Sequence, residues 1–435
     1  MKNEGNQTIS TSKGISLYVG AVLGSGILIL PGITGGIAGP NAIIPWIIMV
    51  ILSIPLACTF AFLSIQYPSA GGISTFATNA FGRYVGVISG WFFFVAGSFG
   101  QIIVSLTGGV YISYAFNLPY FSSYLIALLL LSIAILGNYF GLHTSSKLQL
   151  IIASLTFFIL VITIILSIPY IKLESLTWSL SKESIVPIGK SMMLIFWSFF
   201  GWEAISSLAP EFKSPQKRNI LMSTWGAIII TGIIYIGIAL SVIGTQSYIL
   251  GTSEAAQSIN NASLAAVIKK VMGTNGAWII GILAFTICLG TINAFIASIS
   301  RLGYSLAHNK TAPQWLDNYD EERSTPKRAV ILVGGIAIAG LAFSYLFNIS
   351  LEKLVFIPNS LAIATYVIGT ASGIKLISSK LGKISAAISC FLCMIAYPFI
   401  GTSITLPILL LITCIIYTSW RDKKEMQISA EKYDF

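Results

Sequence analysis

Apolar runs long enough to cross a bilayer recur about twelve times along this chain of 435 residues. A helical crossing takes about 20 apolar residues. No polar connection between the runs reaches about 40 residues, too few for a separate catalytic domain. Only 9% of the residues are charged and 55% are hydrophobic, whereas a soluble domain carries about 25% charge. The runs are continuous, so they lack the alternation of membrane barrel strands. In hydrocarbon each backbone N–H and C=O must be satisfied within the chain, which makes such runs helices. The expected fold class is therefore all-α and polytopic, about twelve transmembrane helices in a single domain over 1–420 with a cytoplasmic tail over 421–435. The chain is not expected to be an enzyme, and it calls for no metal or cofactor.

The spans are expected near 14–38, 41–64, 84–114, 121–138, 148–169, 188–209, 221–245, 276–306, 329–347, 354–376, 384–400 and 403–420. Residues 1–13 are polar, and the first apolar run outlasts a signal-peptide core, so no cleavable signal is expected. With both termini cytoplasmic, 19 of the 25 Lys and Arg fall on the inside. That split follows the positive-inside rule and supports an even number of spans with cytoplasmic ends; the expected location is the cell (plasma or inner) membrane. The net charge of +10 is accounted for by this orientation and points to no nucleic acid. Three connections have content: 65–83, semi-polar and Gly-rich, suits a re-entrant or interfacial element; 246–275 suits an external loop with a short amphipathic helix around 264–272; 307–328 is a charged cytoplasmic loop. The pair Cys390 and Cys393 reads as two small apolar residues on one helix face.

Two of the spans are faulted. Gly24, Ser25 and Gly26 interrupt the first, and Phe199-Phe200-Gly201-Trp202-Glu203 interrupts the sixth. Glycine costs about 1 kcal/mol against alanine inside a helix. A frayed helix in a bilayer must line a cavity or pack on protein. The bland alternative at the first break is a Gly20-x-x-x-Gly24 packing seam. Interrupted helices in corresponding positions of two halves point instead to a transporter's binding site. Spans one and six each open a set of five, near 14–169 and 188–376, with two further helices near 384–420.

The chemistry follows from the breaks. The second half of a broken helix begins with free N–H groups and a positive dipole end. The amides around Ser25, Gly26 and Ile27, with the Ser25 hydroxyl, suit a carboxylate. Free carbonyls near Val22 and Leu23, with those near Trp197 and Phe200, suit an ammonium group. Together they describe the head of an α-amino acid. The candidate substrate-binding residues are Val22, Gly24, Ser25, Gly26, Trp197, Phe200 and Gly201. Glu203 is the only acidic residue expected inside a span. A charge there costs about 2.5–3.5 kcal/mol and marks a functional path, unless the carboxyl is protonated and only holds helices together. Phe196, Trp197, Phe199, Phe200 and Trp202 crowd the second break, either as packing or with one of them as a lid.

These residues resemble the amino acid–polyamine–organocation superfamily of transporters. The likeness rests on Gly24-Ser25-Gly26-Ile27 with Pro31, on Tyr67-Pro68-Ser69-Ala70-Gly71-Gly72, Phe81-Gly82 and Gly90-Trp91. It continues through Phe196 to Glu203, Glu211-Phe212-Lys213-Ser214-Pro215, Arg301-Leu302 to Ala307, and Pro313. The Tyr-Pro-Ser-Ala-Gly-Gly and Glu-Phe-Lys-Ser-Pro strings are most similar to the bacterial exporter group for methionine and branched-chain amino acids. The resemblance implies two inverted five-helix repeats, substrate at the unwound parts of spans one and six, and alternating access. It implies Trp197 as an aromatic gate and Glu203 as a gating or proton-coupling carboxyl. Some relatives carry a Lys in span five; here nothing basic lies between Lys147 and Lys172. Proton coupling through Glu203, exchange and facilitated diffusion all stay open, as does the direction of transport. The expected substrates are amino acids with neutral side chains, because a charged side chain would need its own partner in a low-dielectric site. The alternatives are a cationic amino acid or polyamine antiporter and, in another class, an amino-acid-sensing receptor without flux.

Overall fold

The computed structural model describes residues 8–68, 72–141, 146–203, 206 and 208–433. Residues 1–7, Ser69-Ala70-Gly71 of the motif string and His143 lie outside these. Among the described residues fifteen α-helices follow one another: α1 Thr11–Val22, α2 Gly26–Ala38, α3 Ile43–Gln66, α4 Gly72–Phe81, α5 Arg83–Ala115, α6 Tyr120–Tyr139, α7 Ser146–Ser167 and α8 Ile185–Ile195. A 3-10 turn over Phe196–Phe199 extends α8, and the chain then loses helical form. After it come α9 Gln216–Gly244, α10 Glu254–Asn260, α11 Ser263–His308, α12 Lys327–Leu346, α13 Leu351–Leu376, α14 Lys380–Ala396 and α15 Thr405–Tyr433.

Among the described residues nine segments are long and apolar enough to cross a membrane. Two of them, 26–66 and 380–421, are 41 and 42 residues long, about twice what one crossing needs. Each contains a tight turn, at Gly39–Ala42 and Tyr397–Ile404. The broken segment around α8 is too short to count by length, although its flanks are buried.

The packing is reciprocal between the halves. Exchanging α3, α5, α6 and α7 for α9, α11, α12 and α13 maps contacts onto contacts. The central pairs α3–α9 and α5–α11 map onto themselves. Pair α5–α13 maps onto α11–α7, and α6–α11 onto α12–α5. The first broken helix leans on α9 as the second leans on α3. That pattern is the trace of a pseudo-twofold relation between the two sets of helices.

The connections anchor the ends. The amphipathic stretch expected near 264–272 is the start of α11, which kinks at Gly273 with φ 72°. Lys270 there donates to the carbonyls of Thr245 at 2.6 Å and Gln246 at 2.7 Å, a cation on the negative end of α9. The 65–83 connection holds α4, whose Ala80 carbonyl accepts from Lys375 of α13 at 2.6 Å. In the 307–328 loop Lys327 pairs with Asp320 and holds that carboxyl below its usual range. The last helix runs on to Tyr433, through the segment expected as a tail over 421–435. Glu352, expected in a loop, lies in the first turn of α13, where the helix end favours an acid.

Candidate functional site

The two faults cross each other at mid-chain. Helix α1 stops at Val22, with Leu23 off the helical path at ψ 67°. Ser25 then starts α2 without capping it by its side chain. The Leu23 amide returns to Val19 and the Gly24 amide to Val22, both at 2.8 Å. Among the described residues nothing accepts from the amides of Ser25 or Ile27. A side chain built on Gly24 would meet no atom within 4 Å, so the chain faces open space there. The first break therefore presents unpaired donors beside a void.

The second break packs into the first through glycines on both sides. A Cβ on Gly26 would overlap the Ser198 hydroxyl and stand 3.0 Å from Trp197 Cδ1. Gly201 has φ 124°, a left-handed conformation that favours glycine. A Cβ there would stand 2.8 Å from the Ala21 carbonyl oxygen and 3.3 Å from Val22 Cγ2. Each break thus supplies a glycine where the other comes closest.

The aromatic run divides by burial. Phe196, Phe199 and Trp202 are fully buried, while Trp197 and Phe200 are half-buried and face each other with ring centres 5.9 Å apart. The tip of the Trp197 indole lies on Gly100 of α5, where a Cβ would crowd it at 2.7 Å. Trp197 therefore lies between α2 and α5, next to the unpaired amides. Glu203 folds back over its own break. Its Oε2 accepts from the Gly201 amide at 3.1 Å and from the Tyr366 hydroxyl of α13. The Tyr366 ring also packs edge-on against Phe196 and tilted against Phe200 and Phe60.

The structure thus brings Val22, Gly24, Ser25, Gly26, Trp197, Phe200, Gly201 and Glu203 together around one crossing. It also adds residues that sequence reasoning missed. Tyr235 of α9 stands between the breaks, its hydroxyl 2.7 Å from the Val22 carbonyl and 2.5 Å from the Ser198 carbonyl. It has one proton and donates to one of them at a time. The Val22 carbonyl, expected to be free, also takes the Gly24 amide and is thus already occupied. Among the described residues the Leu23 and Phe200 carbonyls accept no hydrogen bond. Nothing in an apolar helix marks Tyr235 or Tyr366 beforehand, because each is a lone polar group whose partner lies far along the chain. Tyr235→Phe should lower the unfolding free energy by about 1–3 kcal/mol, since it removes the one donor that the buried Val22 and Ser198 carbonyls share. Thermal unfolding of the purified protein measures this, and an unchanged midpoint would show that the bridge adds no stability.

Such a site can hold a zwitterion, and comparison with known proteins gives the family of the chain. The family model described as "Amino acid permease" matches residues 9–423. An uncharacterized amino acid permease of Bacillus subtilis, YecA, is 33% identical over 94% of this chain and 95% of its own. The L-methionine/branched-chain amino acid exporter YjeH of Escherichia coli is 26% identical, covering 91% and 92%. The serine/threonine exchanger SteT of Bacillus subtilis is 26% identical, covering 69% and 68%. In fold the chain matches the crystal structure of MhsT in complex with L-phenylalanine, with TM-score 0.63 and 14% identity over 92% of this chain and 99% of that one. The chain belongs to the amino acid permease family: it is a multi-pass membrane protein that transports amino acids, not an enzyme.

Proposed function

We propose that the protein carries amino acids with neutral, aliphatic or thioether side chains by alternating access. The substrate's carboxylate lies on the amides of Ser25, Gly26 and Ile27, and its ammonium group lies against the carbonyls of Leu23 and Phe200. The observation that carries this is the unpaired amides of Ser25 and Ile27 at the start of α2, next to the open space at Gly24. Trp197 closes over the bound substrate, and Glu203 couples the break to gating or to a proton. The chain makes twelve crossings of the cytoplasmic membrane with both ends inside, in repeats near 14–169 and 188–376. The helices near 384–420 lie outside the repeats.

Neutral substrates are supported by the names of two relatives, an exporter of methionine and branched-chain amino acids and an exchanger of serine and threonine. The rival is a cationic amino acid or polyamine antiporter with Glu203 as counter-charge. Against it, Glu203 Oε2 is already engaged by Gly201 and Tyr366. Flux in proteoliposomes, scanned over the twenty amino acids with and without a pH gradient, tests the proposal. Strong competition by arginine against leucine or methionine would sink the neutral substrate. Saturable binding without flux would make the protein a receptor. Direction follows the gradients supplied, so export is tested by loading the vesicles.

The Ser25 hydroxyl makes no capping bond to its own helix and is free to donate to substrate. Ser25→Ala should weaken leucine or methionine binding by about 0.5–1.5 kcal/mol. Equilibrium binding to the purified protein measures it; undiminished affinity would remove Ser25 from the site.

A further inference from the structure

Most buried Ser and Thr hydroxyls in this protein are satisfied by their own helix. Thr34, Thr59, Ser64, Ser98, Thr107 and Thr231 each donate to the carbonyl four residues back. Apolar helices handle a lone hydroxyl in this way, because no water is at hand. Ser198 is different. It is only 2% exposed, and its Oγ has no hydrogen-bond partner. Ser198 sits in the tight 3-10 turn at the end of α8, and its carbonyl already accepts from Tyr235. A buried hydroxyl left unmade costs about 1–3 kcal/mol; Ser113, Thr163 and Ser191 share that condition, but Ser198 is the one that stands where the two breaks meet.

Its position says which. A Cβ on Gly26, the first residue of α2, would land on the Ser198 hydroxyl and lie 3.1 Å from Ser198 Cα. The orphaned Oγ therefore abuts the helix end whose amides also lack acceptors. The start of α2, with the unpaired amides of Ser25 and Ile27, and the Ser198 O–H from the other break thus lie against each other. A carboxylate has two oxygens and can take both sets at once, one oxygen on the amides and the other on the hydroxyl.

We infer that the Ser198 hydroxyl is a direct donor to the substrate's α-carboxylate and makes the site select substrates with a free carboxylate. The inference rests on the proposed amino acid site and adds a residue and a selection rule to it. Amino acid amides and decarboxylated amines lack the second charged oxygen, so the Ser198 bond is weaker or absent for them.

The test compares L-leucine with L-leucinamide in equilibrium binding to the purified wild-type, Ser198→Ala and Ser198→Cys proteins. Ser198→Ala should weaken leucine by about tenfold or more, the scale of a hydrogen bond to a charged group. It should leave leucinamide within about twofold, so the preference for the acid collapses. Ser198→Cys keeps a near-isosteric but weaker donor and should fall between. Equal losses for acid and amide in either variant would show that Ser198 only shapes the crossing, and would overturn the inference. Unchanged leucine affinity in Ser198→Ala would overturn it as well. Failure of the wild-type protein to bind any amino acid is a separate result: it removes the proposed site itself, and this inference with it.

Discussion

A Gly26→Val protein should reach the membrane and carry no amino acid. The side chain would enter where α2 meets the second break. There a single Cβ would already overlap the Ser198 hydroxyl, with Trp197 Cδ1 at 3.0 Å and Ser198 Cα at 3.1 Å. The Ser198 backbone cannot rotate away as a long side chain could, so the two breaks must separate. Misplacing a binding constellation by about 1 Å costs on the order of 100-fold in rate. Valine is welcome in a membrane helix, so insertion and abundance should be unaffected. The measurement is leucine uptake normalised to protein in the membrane. Normal uptake by Gly26→Val would move the substrate site away from α2.

Glu203→Gln should cut transport by about tenfold or more and flatten its dependence on pH. Glutamine keeps the shape of the side chain and an oxygen that can still accept from Tyr366 and Gly201. It removes the charge and the titration. A hydrogen bond to a charged group contributes about 1.5–3 kcal/mol and a neutral one about 0.5–1.5 kcal/mol, so the hold of Tyr366 on the break should loosen. Tyr366 stands on α13, the helix whose Lys375 also holds α4. A weaker lock would therefore change the balance between states as well as any proton step. Initial rates across pH in proteoliposomes decide between them. A variant with an unaltered pH profile would make Glu203 a structural clasp only.

Much of this was legible beforehand, for a simple reason. A bilayer leaves the backbone few options, so long apolar runs such as Arg83–Ala115 could be read as helices from composition alone. The same restriction makes Gly24-Ser25-Gly26 and Phe200-Gly201 conspicuous, because a fault in hydrocarbon needs a reason. Burial was less legible. Five aromatics crowd the second break, and only the packing separates buried Phe196, Phe199 and Trp202 from half-buried Trp197 and Phe200. The Val22 carbonyl was expected to be available to substrate, but Tyr235 and Gly24 had already taken it.

The sequence by itself determined that the chain is a helical membrane protein, broken twice, with one carboxyl at the second break. Those properties are local: hydrophobicity, glycine and charge act where they stand. The tertiary structure alone decided that the breaks cross, glycine against neighbour on each side, with Ser198 beside the free amides, Tyr235 between the carbonyls and Tyr366 on Glu203. Those partners lie up to 213 residues apart, as Tyr235 and Val22 do. A hydrogen bond acts over about 3 Å, so only the folded chain selects which distant groups meet.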